Sequence, residues 1–305
     1  MSAEVEFLDP GAPLGFYRYM QWLCEAWQSS GGMVHPNINC PRKVRAALGR
    51  TLNFNLHKKR GGLLVCGSHR IESMAFPYNL FHEIVPIMWD LWPGNYEDFT
   101  RFINRNKVRL AFCSAQTSVN RLSKLCPSVS FVWLPEAVDV SAYRYGGLLQ
   151  DRPVDVLSYG RSVGPIKEKI RHVCHTECKT FQEGAGRTFE NLVECLSLAK
   201  ISICYPLVDT NPGKAQGVET LTIRYWEAML SGTLIVGRAP QELIEVCGYN
   251  PVIELGSDPI RKFMSVISDI NHFQGLADKN FRTATNIGGW TARLPILKGA
   301  LSALK

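Results

Sequence analysis

The sequence predicts an α/β chain made of two doubly wound domains, each with a mostly parallel sheet. Three observations carry this prediction. Short apolar runs ending in Gly or Asp recur along the chain, and segments with helical spacing separate them. The alternation breaks once, near residue 150, and then restarts. The length of 305 residues also exceeds the roughly 250–300 at which a single core stops growing.

Residues 1–60 carry the least pattern. Residues 17–27 read as a helix bearing several aromatics, broken by Ser30-Gly31-Gly32. Pro41 opens a second helix, with Val44, Leu48 and Leu52 at i, i+4 and i+8 and basic residues on its other faces. No strand leading into a Gly-rich loop stands out before residue 60. From Gly61 the alternation is plain: apolar strands at 63–67, 84–89, 109–113 and 130–134, with helices at 95–106 and 115–125 between them. Residues 135–152 contain Gly146-Gly147, precede Pro153 and read as a hinge. Further strands are expected at 154–160, 172–176, 201–204, 233–236 and 252–255. Helices are expected at 163–170, 188–199, 220–231, 240–246 and 259–270. The expected domains are thus 1–150 and 151–285, followed by a helical tail over 286–305. Ligands of doubly wound sheets sit at the carboxyl ends of the strands, so the site is expected in the cleft between the domains.

Composition excludes several classes. With 46% hydrophobic and 20% charged residues, the chain is no disordered segment, collagen-like repeat or coiled coil. No run reaches the roughly 18 apolar residues of a spanning helix. The acidic start MSAEVEFLDP lacks the charged and then apolar segments of a secretory signal, so a cytoplasmic address is expected. Ten cysteines are too few for a disulfide scaffold, and most are expected to be buried small hydrophobes. The net charge of +7 is local. Arg42, Lys43, Arg45, Arg50, Lys58, Lys59, Arg60 and Arg70 lie together with no acidic residue among them, and the rest of the chain sums to −1. Such a patch seeks phosphate. It lacks interleaved aromatics and any groove-reading motif, which argues against nucleic acid and leaves an anionic membrane surface or an anionic acceptor.

The stretch that carries chemistry is DTNPGKAQGVETLTIRYWEAMLSGTLIVG, residues 209–237. A polar loop with Gly and Pro leads into a helix that stops at Ser231-Gly232, and a strand follows. Glu219 and Glu227 are eight residues apart, which places them on one helix face about 12 Å apart along the axis. Amides around Thr222 and Ile223, at the positive end of that helix, suit an anion such as a diphosphate. A carboxylate suits the vicinal hydroxyls of a ribose.

Glu219-x7-Glu227, followed by Ala228-Met229-Leu230-Ser231-Gly232 and an apolar strand, resembles the hallmark of retaining GT-B glycosyltransferases of the family-four type. Two further segments resemble that family in the same order. Pro135-Glu136-Ala137-Val138-Asp139 is similar to the turn where its chain leaves the first domain, and Asp155 to Arg161 is similar to its first donor-domain strand and Gly-Arg. Together these segments cover about residues 84 to 255. The resemblance implies a GT-B fold: two Rossmann-like domains facing a central cleft. It implies transfer of a sugar from a nucleoside-diphosphate donor to a hydroxyl acceptor (a saccharide, a lipid-linked molecule or a small molecule) with retention of anomeric configuration. It also implies roles. Glu219 would contact hydroxyls of the donor sugar, and Glu227 would bind the ribose. Arg161 with Lys167 or Lys169 would neutralise the departing diphosphate, and the Thr222 and Ile223 amides would complete the phosphate cradle. No metal or cofactor is implied, because cations and a helix N-terminus stabilise the leaving group.

The chain departs from the family at four places. Thr220, Leu221 and Thr222 stand where glycines are usual. Ile166 occupies the usual lysine position, with Lys167 one later. Trp89 stands where many members have His, which leaves Asp90 as the acceptor-side contact or base. The missing opening strand implies a first domain shortened or unusual at its start. Other readings stay open: an inverting GT-B transferase with Asp90 as base, a non-catalytic GT-B-like binder of nucleotide or glycan, and a peripheral protein using residues 42–60 on a membrane. The His172, Cys174, His175, Cys178 cluster has no second Cys pair at zinc spacing and reads as a strand with buried small residues.

Overall fold

A computed structural model describes residues 5–11, 17–38, 42–51, 61–68, 71–160 and 164–303. The chain divides into two units. The first comprises Met1–Glu136, Lys214–Thr220 and Arg293–Lys305; the second comprises Ala137–Gly213 and Leu221–Ala292.

In the first unit, strands and helices alternate: β1 (Val5–Leu8), α1 (Tyr17–Ser29), β2 (Met33–His35), α2 (Arg42–Thr51), β3 (Gly62–Gly67), α3 (Ile71–Ala75), β4 (Glu83–Met88), α4 (Tyr96–Asn106), β5 (Leu110–Cys113), α5 (Gln116–Leu125) and β6 (Ser130–Trp133). The sheet order is β2-β1-β3-β4-β5-β6, and its recorded pairings are parallel. The inner strands β3, β4 and β5 are apolar apart from Glu83 at the start of β4, as expected where helices cover both faces of such a sheet. Pro86 has no N–H to give, and the β4–β5 register runs through Ile87 and Met88 just beyond it.

The first sheet is therefore complete at its start, where the sequence shows no opening strand. The physical reason is length. β1 has four residues, of which only Phe7 and Leu8 are buried, and β2 has three, with Met33 exposed. Neither is long enough to establish a period. The α1–β2 turn is held by Trp27, whose indole N–H donates to the Met33 carbonyl at 3.0 Å and whose ring fills the space over Gly32.

The second unit contains β7 (Val154–Ser158), α6 (Pro165–Thr176), β8 (Phe181–Glu183), α7 (Phe189–Leu198), β9 (Ala199–Cys204), the short helix α8 (Leu207–Thr210), the first two residues of α9 (Pro212–Ala215), α10 (Ile223–Leu230), β10 (Leu234–Gly237), α11 (Gln241–Cys247), β11 (Val252–Glu254), α12 (Pro259–Ser268) and α13 (Gln274–Ile287). Its parallel sheet has the order β11-β10-β9-β7-β8. The strand order reverses between β7 and β9, which are neighbours in space but not in sequence. Such a switch point opens a crevice at the carboxyl ends of the two strands. The core below it gathers Val156, Ile201, Ile203, Leu234, Val236 and Phe263. The last helix, α14 (Leu294–Ala303), belongs to the first unit, where Leu294, Leu297 and Leu301 are buried.

Three sequence expectations change. Residues 172–176 are the end of α6, not a strand. Cys174 is fully buried among Ile170 and Val173 while His172, His175 and Cys178 are exposed, so the apolar spacing over 166–174 is helical. The helix expected over 220–231 starts only at Ile223. The segment read as a hinge is pinned. Arg152 is buried and donates to the carbonyls of Ala199 (2.8 Å), Gly147 (2.9 Å) and Ser231 (3.1 Å), and burial lowers its pKa to about 10. The second unit accordingly begins at Ala137, and the boundary expected near 150 falls inside it.

Candidate functional site

The second unit places its polar groups around α10. Thr222 is the N-cap residue, extended at φ −100° and ψ 154°, and its hydroxyl caps nothing. The Thr222 Oγ1 atom is buried and has no hydrogen-bond partner. Leu221 is fully buried and its N–H donates to the Glu242 carboxylate at 2.7 Å. That bond holds the chain extended and explains why the helix starts a turn later than its residues suggest. The helix ends as expected, with Gly232 at φ 64° donating to the Met229 carbonyl at 3.0 Å.

Glu227 lies in the second turn of α10 and is 1% exposed. Two tyrosines serve its carboxylate: the Tyr159 hydroxyl donates to Oε2 at 3.0 Å, and the Tyr143 hydroxyl to Oε1 at 3.3 Å. Tyr159 directly follows β7, and burial together with the negative charge of Glu227 pushes its hydroxyl well above the ordinary tyrosine pKa. It therefore remains a donor at any physiological pH. A carboxylate held by two phenols on a rigid helix is fixed in place.

Arg224 stands one turn before Glu227 and is 9% exposed. Its side chain crosses the switch point. On one side its Cδ lies 3.0 Å from where a Cβ would sit on Gly160, after β7; on the other its Nη2 donates to the Tyr205 carbonyl, after β9, at 3.1 Å. Its Nη1 is buried and has no hydrogen-bond partner. Gly160, after β7, is at φ 78°, and Gly164, before α6, is at φ 58°.

The residues read from the sequence are placed as follows. Glu227 and Thr222 lie together on α10 with Ile223 as its first residue. Lys167 is buried in the first turns of α6, where its ammonium meets the Glu183 carboxylate at 2.5 Å and Glu168 at 3.7 Å. That contact holds the Glu183 carboxyl below its ordinary pKa. Lys169 is exposed on α6. Arg161 lies outside the described residues.

Glu219 is not on the helix. It is half-buried in the loop Lys214–Thr220, which belongs to the first unit, so the two glutamates do not share a helix face. In that unit Arg121 donates to the Gln216 carbonyl at 2.9 Å, and the Lys214 ammonium lies 5.9 Å from the centre of the Trp92 ring. Asp90 also stands in the first unit, after β4, half-buried and at φ 49°. Aspartate is one of the few residues that tolerate this conformation. Of the basic block, α2 exposes Lys43 beside Val44 and Leu48, while residues 52–60 lie outside the described residues. Among the described residues no helix is long and apolar enough to cross a membrane, and no three His, Cys, Asp or Glu side chains group as metal ligands.

Solved structures share this arrangement of strands and helices. HepE from Anabaena, in complex with UDP and glucose, matches with a TM-score of 0.61 at 10% identity, over 99% of this chain and 100% of that one. Sucrose-phosphate synthase from Thermosynechococcus elongatus matches at 0.62 and 11% identity, over 100% of both chains. AviGT4, a glycosyltransferase involved in avilamycin A biosynthesis, matches at 0.57 and 13% identity, over 99% of this chain and 98% of that one.

The chain has the GT-B fold.

At these identities the likeness is one of fold. No family model matches the chain, and no curated protein matches it either. Within the GT-B fold the second unit is the one whose switch point carries Arg224, Tyr159 and Glu227. Sequence reasoning missed Arg224 and Tyr159. A signal for Arg224 was present: it is a lone charge between Ile223 and Tyr225-Trp226 in a helix otherwise buried up to Glu227. A buried arginine among apolar neighbours needs a partner.

Proposed function

We propose that the protein is a glycosyltransferase that takes a sugar from a nucleoside-diphosphate donor held by the second unit and passes it to a hydroxyl acceptor. The observation that supports this most is Glu227: a buried carboxylate, fixed by two tyrosines, one helical turn from the switch point of a parallel sheet. Ligands bind at that place in such sheets. HepE, of the same fold, was solved with UDP, with UDP and glucose, and with UDP-glucose, which supports a nucleotide-sugar donor.

In this reading Glu227 accepts the ribose hydroxyls. The N-terminus of α10, at Thr222 and Ile223, faces the diphosphate, whose departing charge Arg161 and, since Lys167 is already paired with Glu183, Lys169 help to neutralise. These cations take the place of a metal, so activity is expected without magnesium. By the resemblance, Glu219 is assigned to the donor sugar and Asp90 to the acceptor. Transfer proceeds with retention of anomeric configuration, in a hexosyltransferase-like reaction. Val44 and Leu48, exposed beside Lys43 on α2, favour a peripheral position on an anionic membrane, where lipid-linked acceptors are found. Co-sedimentation with anionic vesicles, lost on charge reversal at Lys58, Lys59 and Arg60, tests that position.

The test of function is release of nucleoside diphosphate from a panel of nucleotide sugars, with chelator and with magnesium. Glu219→Ala is expected to lower turnover by at least a hundredfold while the melting temperature holds. A wild-type protein that turns over none of the panel, with any saccharide or lipid acceptor offered, removes the transferase reading and leaves a binder.

A further inference from the structure

The sequence resemblance assigns the donor's diphosphate to Arg161 and a lysine of α6, but Lys167 is already neutralised. Its ammonium is buried against the Glu183 carboxylate at 2.5 Å, with Glu168 at 3.7 Å. A cation so paired has little charge left for a second anion. Arg224 is in the opposite condition. It is 9% exposed, and the one hydrogen bond its guanidinium makes among the described residues, at 3.1 Å, goes to a neutral carbonyl, that of Tyr205. Nη1 has no partner among the described residues. A buried guanidinium with an unmet donor is costly, because a charged group gives up strong hydration on burial. In folded proteins such a donor is met by protein, by ordered water or by a bound ion.

The surroundings specify the ligand. Arg224 lies in the crevice between the carboxyl ends of β7 and β9, the switch point of the sheet. It extends from the first turn of the eight-residue helix α10, whose positive end favours anions. The N-cap hydroxyl of Thr222, 8% exposed, also lacks a partner there. Gly160 is held at φ 78°, and a side chain on it would press on the Arg224 stem. Bare backbone at Gly160, an unmet guanidinium N–H, and an unmet hydroxyl at a helix N-terminus two residues before Arg224 each suit a small anion. A planar fork of donors matches phosphate oxygens better than an ammonium does.

We propose that Arg224, with the Thr222 hydroxyl, binds the diphosphate of the donor, and that Lys167 is a structural partner of Glu183. This rests on the nucleotide-sugar reading above and names the residue that would hold the phosphates.

The test is calorimetric titration of the full chain with UDP, GDP, ADP and dTDP. The tightest of these is then compared with its own nucleoside, which lacks phosphate. Wild type is expected to prefer the diphosphate by tenfold or more. Arg224→Met should abolish most of that preference while leaving nucleoside affinity within twofold, and Arg224→Lys should lose several-fold of it. Lys167→Met should keep the preference within twofold. Melting temperatures report which variants fold. If the Arg224 variants do not, Gly160→Ala, which crowds the Arg224 stem, is expected to lower diphosphate affinity selectively. A folded Arg224→Met, or failing that a folded Gly160→Ala, with an unchanged preference overturns the proposal and leaves the nucleotide-sugar reading standing. So does loss of the preference in Lys167→Met alone. A wild type that binds no nucleoside diphosphate overturns both.

Discussion

A carboxylate buried to 1% exposure on α10 is an expensive feature unless its partners are fixed, and Tyr159 and Tyr143 are those partners. Tyr159→Phe removes a 3.0 Å bond to a charged acceptor and is expected to cost about 1–3 kcal/mol, read from urea unfolding midpoints. Glu227→Gln keeps the volume but loses the charge that would hold vicinal hydroxyls. Its affinity for the preferred nucleoside is expected to fall about tenfold or more, because hydrogen bonds to charged groups contribute about 1.5–3 kcal/mol. A titration showing full nucleoside affinity in that variant would remove Glu227 from the ribose. Glu227 was legible because a spaced pair of acids ahead of Gly232 and an apolar strand forms a pattern along the sequence. Tyr159 was not, and Arg224 showed only as a lone charge among apolar residues, because what distinguishes them is a contact between β7, β9 and α10 that only the folded sheet brings about.

At the scale of elements, α10 shows how one side-chain bond resets a helix boundary. Glu242, on α11, takes the Leu221 N–H at 2.7 Å and keeps the chain extended to Thr222. Glu242→Ala is expected to cost about 1–3 kcal/mol and to speed hydrogen exchange at the Leu221 amide. Unchanged exchange there would mean that Leu221 burial alone holds the segment. β7 carries a second prediction, at its second residue. Burial works to raise the pKa of Asp155, but hydrogen bonds from Lys200 (2.7 Å) and the Thr180 amide (2.8 Å) prevail and lower it. An acid depressed in the folded state adds stability above its unfolded pKa, about 3.9, and loses it as pH falls through the folded value. Wild type is expected to lose more stability than Asp155→Asn between pH 6 and pH 3, as measured by urea midpoints at each pH. Most elements were legible because β3 to β7 and β9 to β11 are apolar runs closed by turns, a pattern independent of distant contacts. The exceptions have local causes. β1 and β2 are too short to show a period, and the end of α6 mixes β-branched Val173 and Thr176 with helical spacing.

At the scale of the whole molecule, chain order and unit membership differ at two places, Lys214–Thr220 and Arg293–Lys305, which belong to the first unit. No local pattern marks either return, which is why the sequence places the tail apart and Glu219 beside Glu227. The assignment of α14 is testable. Leu297 is fully buried, and Leu297→Ala is expected to cost about 2–5 kcal/mol. Hydrogen exchange should quicken in β3 to β5 while β9 and β10 keep their protection; quickening confined to the second unit would contradict the assignment.

The central claim is that the second unit binds a nucleoside diphosphate through α10 and the switch point. It is tested most directly by thermal unfolding of the full chain with UDP, GDP, ADP, CMP and dTDP, each with and without magnesium. A ligand at 100 times its dissociation constant adds about 2.7 kcal/mol, a shift of a few degrees for a protein of this size. The account predicts such a shift with one nucleoside diphosphate, equal with and without magnesium and cut by about half or more in Glu227→Gln. No shift with any of the five would contradict it.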